Sequence, residues 1–322
     1  LQERIETGMD IPVYLFTGFM DSGKTSMITQ TLLENDFGVG ARSLVIACED
    51  GDVEYDEEKL AQKRVTVVGV DSEEEFTADF LKDCDAAMQP DMVFIEYNGT
   101  WEGAKILEME LPKDWQIVQI LTTVDASTYE MYLSNMRSMM MEQVFASDVV
   151  IFNRCTDETP KAKFRRSVKA LNRKAQIVYE REDGQIDQGD DEELPYDISQ
   201  DFLDIPDEDY GIFYLDVQEH PKRYEGKTIR FLALVYRPEK FGKKPVFVPG
   251  RFAMTCCVED IQFIGMKCKY DKANQIPHKS WVNLTAEIHV EFAKEYRGKG
   301  PVLYAKEVEP TTAPQEELVY FT

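Results

Sequence analysis

The sequence lacks any long hydrophobic run, and this absence excludes one class of protein. No stretch of its 322 residues approaches the roughly eighteen consecutive apolar residues that a transmembrane helix requires. The first ten residues, LQERIETGMD, also lack the apolar segment of a signal peptide. These two absences predict a cytoplasmic protein without direct membrane insertion.

Cysteine, histidine and positive charge are also scarce. The chain has 6 cysteines and 3 histidines, and apart from a group at 256–268 the cysteines are scattered, unlike a secreted disulfide framework. Lys and Arg number 36 against 60 Asp and Glu, which gives a net charge of −24. Because a surface this acidic repels nucleic acid, we predict no nucleic-acid partner.

The patterns that are present predict two domains. Up to about residue 180, apolar runs such as VYLFT, SLVIAC, MVFIEY and DVVIFN alternate with helical stretches, as in a mainly parallel sheet with flanking helices. Residues 181–210 are rich in Asp and Glu, which indicates a solvated linker or an arm that binds cations or a partner. From Gly211 onward, IFYLDV, KTIRFLALVYR and later runs predict short strands. We therefore predict a P-loop NTPase domain (1–180), an acidic linker and an all-β, OB-like barrel (211–322).

One short motif indicates phosphate binding. The run GFMDSGKT matches G-x-x-x-x-G-K-[ST], and it follows a predicted strand and precedes a predicted helix. Its glycines permit backbone angles that point several amides at one oxyanion, and the helix start adds partial positive charge. Lys24 can then reach the β- and γ-phosphates, and the Thr25 hydroxyl can bind Mg²⁺. The predicted nucleotide-binding residues of this loop are Gly18, Asp21, Ser22, Gly23, Lys24, Thr25 and Ser26.

Further polar residues follow other predicted strands, where ligands of such sheets bind. Glu96 ends the run MVFIEY, and Gly99 follows it closely. A carboxylate at this position can hold Mg²⁺ through water or orient an attacking water, unless it simply faces solvent. Asn153 ends another run, with Asp157 behind it, and an Asp there can accept hydrogen bonds from guanine N1–H and N2–H₂. We predict Lys24 and Glu96 as catalytic residues, and Gly99, Asn153 and Asp157 as nucleotide-binding residues.

These motifs together resemble the CobW-like family of GTPases. The resemblance covers 11–180 and rests on TGFMDSGKT, IEYNG, TTVDA and QVFASDVVIFNRCTD. It implies GTP as substrate, Mg²⁺ as cofactor, and slow hydrolysis that a partner or metal controls. It also implies a role in supplying or regulating a metal or a metal cofactor.

The sequence departs from the family pattern in three places. The family's Asn-Lys-x-Asp is replaced by NRCTD, so Asp157 comes one residue late for contact with guanine. The family's Cys-x-Cys-Cys metal motif is absent, which argues against thiolate transfer through this domain. The segment CEDGDVEYD stands at the first switch. The carboxylates of its Glu49, Asp52 and Asp56 either bind Mg²⁺ or act in the switch, or they belong to an acidic loop that faces water. The predicted Mg²⁺ set is Thr25, Asp56 and Glu96.

The second domain resembles the extramembrane domain of the YcgQ-like subunit of a two-component bacterial permease. The residues that carry this are YEGKTIRFLALVYRP, VPGRFAMTCCVEDIQFIG and WVNLTAEIHVEF. Cys256, Cys257 and Cys268 are candidate ligands for zinc or another transition metal, or else buried structural thiols. Since neighbouring side chains of a strand point to opposite faces, Cys256 and Cys257 would not chelate one ion together.

Three functions are compatible with these features. The first is a Mg²⁺-dependent GTPase that couples nucleotide state to metal homeostasis or metallocofactor delivery. The second is a nucleotide-switched binding module with little turnover that docks on a membrane permease or a metalloprotein client. The third is a metal carrier whose release depends on nucleotide, and the missing Cys-x-Cys-Cys motif counts against it. Glu96→Gln separates the first two, because it removes a catalytic role and leaves binding intact.

Overall fold

The chain folds into two structural units. A computed structural model describes residues 10–34, 37–49, 51–187, 194–254 and 261–321. Contacts divide the chain into two units, Leu1–Lys161 with Leu171–Gly189 and Ala162–Ala170 with Asp190–Thr322. The first unit holds the predicted nucleotide motifs.

The first unit is built on one sheet of eight strands. The strands lie in the order β3-β2-β4-β1-β5-β6-β7-β8, and every neighbouring pair is parallel except β7 with β8. This confirms the predicted α/β fold with a mainly parallel sheet. The strands are β1 (Ile11–Thr17), β2 (Ser43–Ala47), β3 (Val65–Gly69), β4 (Met92–Glu96), β5 (Trp115–Asp125), β6 (Val149–Cys155), β7 (Gln176–Arg181) and β8 (Ile186–Asp187).

Helices cover both faces of this sheet, because alternate residues of each strand point to opposite faces. Val13 and Leu15 of β1 pack with Leu81 in one core cluster, and Phe16 packs with Ile28 in another. Burial on both faces explains why these strands are continuous apolar runs. The helices of the first unit are α1 (Lys24–Leu33), α2 (Glu57–Gln62), α3 (Ala78–Met88), α4 (Gly103–Glu108), α5 (Tyr129–Asn135) and α6 (Arg137–Phe145). In the next helix, α7 (Lys161–Leu171), residues 162–170 cluster with the second unit.

The carboxyl ends of the parallel strands meet at one edge of the sheet. Four of these strands end at residues of the predicted motifs, namely Thr17, Glu96, Asp125 and Cys155. Polar side chains from distant parts of the chain are therefore brought to one place, as open α/β sheets require of a ligand site.

The second unit is a mostly antiparallel sheet. Its pairings run from β10 through β14, β15, β13 and β11 back to β10, so they close a ring of five strands. The unit is sheet-rich, as predicted, and all five of these strands contribute residues to its core. Its strands are β9 (Phe202–Asp204), β10 (Thr228–Tyr236), β11 (Val246–Ala253), β12 (Gln262–Gly265), β13 (Cys268–Lys269), β14 (Trp281–Ala293), β15 (Gly298–Thr311) and β16 (Leu318–Val319).

One predicted strand of this unit is a helix instead. The run IFYLDV lies in α8 (Tyr210–Glu219), so the prediction of a strand was wrong. Each residue from Tyr210 to Val217 is buried, so the helix has no polar face to reveal its period. An apolar run of this kind cannot be assigned to a strand or a helix by periodicity alone.

The acidic segment also differs in part from a plain linker. Within it, β9 pairs in parallel with β10, and Leu203 and Ile205 join the second core. The second unit therefore begins before Gly211. The physical reason is that the apolar residues between the acidic ones are spaced to place their side chains on the buried face.

A tight contact inside the second unit makes Gly211→Ala a test of this packing. A Cβ at Gly211 would lie 1.9 Å from the Tyr320 carbonyl oxygen, so α8 and the C-terminal segment around Tyr320 would have to move apart. We expect a loss of about 1–3 kcal/mol in unfolding free energy, measured by calorimetry, although alanine favours a helix. Gly103→Ala is the control, because its Cβ would meet nothing closer than 3.4 Å. An unchanged transition in Gly211→Ala would contradict this packing.

Candidate functional site

The loop between β1 and α1 adopts a conformation that demands glycine. Gly18 has φ +135° and Gly23 has φ +98°, both in the region that L side chains rarely adopt. A Cβ at Gly18 would lie 2.4 Å from the Thr123 carbonyl oxygen, and one at Gly23 would lie 2.4 Å from Asn153 Nδ2. The two glycines therefore let the loop pack directly against the ends of β5 and β6.

Lys24 begins α1 and turns back over this loop. Its Nζ donates to the carbonyl oxygens of Gly18 at 2.8 Å and Phe19 at 2.9 Å. The same ammonium lies 2.5 Å from Glu49 Oε2, and the two side chains are only 1% and 4% exposed. A cation is therefore fixed at the mouth of the loop with a buried carboxylate as its counter-ion.

Glu96 at the end of β4 is held by two hydroxyl groups. Thr25 Oγ1 donates to Glu96 Oε1 at 2.6 Å, and the Tyr55 hydroxyl donates to Oε2 at 2.7 Å. Burial raises the pKa of Glu96, and the hydrogen bonds from Thr25 and Tyr55 and the charge of Lys24 oppose that rise. Oε1 is thus oriented toward the start of α1 and Oε2 toward Tyr55, and Glu96 does not face solvent.

A cleft with about 440 Å³ of empty space contains these groups. It brings together most of the residues predicted for phosphate and Mg²⁺ from three separate segments. Ser22 is an exception, because its hydroxyl instead bonds Thr123 Oγ1 at 2.7 Å behind the loop. The lining residues are Asp21, Gly23, Lys24, Thr25, Ser26, Glu49, Gly51, Asp52, Val53, Glu96 and Arg154.

Asp56 does not belong to this cleft, in contrast to the predicted Mg²⁺ set. It is the N-cap of α2, where its carboxylate accepts from the Lys59 amide at 3.1 Å and pairs with Lys59 Nζ at 2.7 Å. Helix capping explains this position, since Asp side chains satisfy the first free amides of a helix. The neighbouring Tyr55 enters the site instead, which the sequence analysis missed.

Gly99 lies against the phosphate loop. A Cβ at this residue would be 2.1 Å from the Gly18 carbonyl oxygen. Its amide donates to Glu49 Oε1 at 3.4 Å, and its carbonyl oxygen accepts from Gln143 Nε2 at 2.7 Å. The segment after β4 is therefore in direct contact with the loop, and Glu49 bridges the two.

A second cleft, with about 500 Å³ of empty space, adjoins the first. Asn153 belongs to it and supports the loop, because its Nδ2 donates to the Ser22 carbonyl oxygen at 2.7 Å. Gly23, Ser26 and Arg154 line both clefts, so the two are adjacent. The lining residues are Gly23, Ser26, Met27, Gln30, Asn153, Arg154, Glu180, Arg181 and Glu182, and the β7 end among them was not predicted.

The irregular NRCTD segment contains a β-bulge. On β6 the pairing advances from Phe152 to Cys155, while on β7 it advances only from Tyr179 to Arg181. One extra residue is therefore absorbed, and Arg154 has φ +54°, in the left-handed region. Beyond the bulge, Asp157 forms an ion pair with Arg181 at the rim of the second cleft.

Arg154 lies at the phosphate cleft as well as at the second cleft. Its Nη1 donates to the Asp21 carbonyl oxygen at 3.1 Å and pairs with Asp125 Oδ2. Burial would raise the pKa of Asp125, but hydrogen bonds from Ser127 and Arg154 lower it below its usual value. The bulge thus places a guanidinium where both clefts meet.

Of the three cysteines predicted as soft-metal ligands, the structure describes Cys268. Cys256 and Cys257 lie outside the described residues. Cys268 is fully buried in the second core, and burial raises the pKa of its thiol. Among the described residues, no group of three or more His, Cys, Asp or Glu side chains is placed to hold a metal ion.

Comparison with known proteins assigns the first unit to a protein family. Residues 12–179 match the family model described as the CobW/HypB/UreG nucleotide-binding domain. The chain belongs to the CobW/HypB/UreG family. Residues 181–321 match a second model, the DUF1980 C-terminal domain.

Individual relatives are distant. The UPF0703 protein YcgQ of Bacillus subtilis (strain 168) is 22% identical over 118 residues, which is 37% of this chain and 41% of YcgQ. The Zn(II)-bound YjiA GTPase of E. coli is 16% identical with a TM-score of 0.44, covering 86% of this chain and 94% of that one. The hydrogenase maturation factor HypB of Archaeoglobus fulgidus is 17% identical with a TM-score of 0.38, covering 55% and 84%. The chain thus spans less than half the length of YcgQ. Within the described residues, no helix is both long and apolar enough to cross a membrane.

Proposed function

We propose that this CobW/HypB/UreG family protein is a Mg²⁺-dependent GTPase. The single observation that carries the proposal is the cleft in which Lys24, Thr25 and Glu96 converge on the glycine loop. Phosphoryl transfer needs little covalent chemistry from a protein, so positioning and charge neutralisation are the main requirements. A buried ammonium, a helix start and an oriented carboxylate meet those requirements.

Each group has a definite task in this proposal. Lys24 and the loop amides bind the phosphates. Thr25 and, through water, Glu96 would hold Mg²⁺, and hard oxygen donors in contact with each other suit that ion. When bound, Mg²⁺ supplies positive charge that offsets the charge of the phosphates. Glu96 also orients the attacking water, and Arg154 holds the loop at the Asp21 carbonyl oxygen.

The second cleft supports guanine as the base. The β-bulge takes one residue of NRCTD out of the pairing with β7, which offsets the one-residue delay of Asp157 relative to the family motif. An Asp carboxylate accepts from both N1–H and N2–H₂ of guanine, whereas adenine offers no such pair of donors. Arg181 holds this carboxylate at the cleft rim until a base displaces it.

Titration with fluorescent GTP, ATP and XTP analogues in Mg²⁺ tests this assignment. We expect the intact protein to prefer GTP over ATP by at least about tenfold. Asp157→Asn replaces one acceptor with a donor, which suits the extra carbonyl of xanthine, so preference should move from GTP toward XTP. Glu158→Gln is the control, because that neighbouring side chain is exposed. Equal binding of GTP and ATP by the intact protein would contradict guanine selectivity.

We also propose that nucleotide state is coupled to the handling of a metal or metallocofactor for a client protein in the cytoplasm. Family membership of the first unit supports this role. The cargo would be zinc or another transition metal. Binding of Zn²⁺ or Ni²⁺ by purified protein, compared with and without GTP, tests the coupling, and identical metal affinity in both states would oppose it.

The second unit favours one alternative, a nucleotide-switched module that docks on a membrane permease with little turnover. Its support is the similarity to YcgQ and the match to the DUF1980 C-terminal domain. In this reading the five-stranded ring is an OB-like barrel that presents a docking surface. Measurable steady-state GTP hydrolysis without any partner favours the enzyme, whereas tight binding without turnover favours the module.

A further inference from the structure

Glu49 places a buried carboxylate at the mouth of the phosphate loop. It lies two residues after β2, and its side chain is turned inward and only 4% exposed. Its Oε2 lies 2.5 Å from Lys24 Nζ, and its Oε1 accepts from the Gly99 amide at 3.4 Å. One carboxylate therefore engages the loop cation and the segment that follows β4 at the same time.

These two donors are the ones that a terminal phosphate would take. The lysine of a phosphate loop reaches the β- and γ-phosphates, and a backbone amide beside it completes a site for an anion. Glu49 is itself an anion and fills that position with two oxygens, as a phosphate group would. A diphosphate occupies only the inner part of the loop and leaves this position to Glu49.

Resting on the proposed nucleotide site, we propose that Glu49 is a specificity-determining residue that competes with the terminal phosphate of a nucleoside triphosphate. A terminal phosphate would need both Lys24 and the Gly99 amide, and two anions at the same pair of donors repel strongly where water is excluded. A triphosphate must therefore displace Glu49, whereas a diphosphate need not. The wild-type site then favours nucleoside diphosphate, and triphosphate binding requires the Glu49 side chain to leave Lys24.

The relative affinities for di- and triphosphate distinguish this role from that of a purely structural ion pair. If Glu49 only stabilised the loop, its removal would weaken di- and triphosphate binding alike, because both need the loop intact. If it competes with the terminal phosphate, its removal strengthens triphosphate binding selectively. The ratio of the two dissociation constants is therefore the decisive quantity, and it does not depend on the amount of folded protein.

The test measures binding of fluorescent GDP and of a fluorescent β,γ-imido GTP analogue, which resists hydrolysis, in Mg²⁺. We expect Glu49→Gln to shift the ratio toward the triphosphate analogue by at least about tenfold, the size of effect seen for close charge pairs. GDP affinity should stay within about threefold of the intact protein. An unchanged ratio in Glu49→Gln overturns the proposal, and so does an equal loss of both ligands.

Two further variants serve as a control and as a repeat of the test. Glu54→Gln removes an exposed carboxylate from the same segment and should leave the ratio unchanged. Glu49→Ala repeats the test without an amide, in case the glutamine variant does not fold. If the intact protein binds neither ligand, the proposed nucleotide site itself fails. If it binds both and only the ratio is insensitive to Glu49, the GTPase proposal stands and this inference alone falls.

Discussion

Lys24→Ala is expected to lower affinity for GTP by about 100-fold or more. Truncating one partner of a buried, hydrogen-bonded charge pair costs about 2–5 kcal/mol, and each 1.4 kcal/mol is about tenfold in affinity. Two losses combine at this site. The phosphates lose their ammonium, and the Glu49 carboxylate, 2.5 Å from that ammonium, is left as an unpaired negative charge in the cleft.

The double variant Lys24→Ala with Glu49→Gln separates these two losses. If the unpaired carboxylate contributes, the double variant should bind GTP more tightly than Lys24→Ala alone, although still weakly. Lys59→Ala is the matched control, because that lysine is exposed and pairs with the α2 cap Asp56. Binding by titration of fluorescent GTP, with thermal unfolding as a check of folding, gives the readout. Lys24→Ala with full affinity would contradict the assignment of the loop.

The phosphate loop could be predicted from sequence because its determinants are local. Glycine spacing, a preceding apolar strand and a following helix lie within one short segment, and each has a direct physical meaning. Glu96 was equally accessible, since the end of a parallel strand is where such sheets bind ligands. Both predictions depended on neighbouring residues and on one general rule about sheets.

The contacts that complete the site depend on tertiary structure instead. Tyr55 lies 41 positions before Glu96 in the chain, and no local pattern indicates that the loop carrying Tyr55 folds toward Glu96. Asp56 was misassigned because a carboxylate in an acidic loop suggests a metal ligand, although Asp followed by Glu-Glu-Lys is also a helix-cap pattern. The helix α8 was missed because burial on every side removes the polar face from which a helical period is recognised.

The second large effect is expected for hydrolysis in Glu96→Gln. Glutamine has the shape of glutamate, and its Oε1 can still accept from Thr25. It loses the charge that holds water or Mg²⁺ next to the phosphates, and its amide nitrogen cannot accept from the Tyr55 hydroxyl. We expect GTP affinity within about threefold of the intact protein, and a hydrolysis rate lowered by about 100-fold or more, the usual contribution of a positioned acid or base.

Tyr55→Phe divides this effect into orientation and charge. Removing that hydroxyl leaves the Glu96 carboxylate ionisable but held by Thr25 alone, so hydrolysis should fall much less than in Glu96→Gln. Single-turnover hydrolysis at saturating GTP measures the chemical step directly and separates it from binding and product release. A Glu96→Gln rate equal to the intact rate would assign Glu96 to holding Thr25 and Tyr55 rather than to catalysis. The nucleotide-switched module, in which GTP acts by binding alone, would then become the better account of the site.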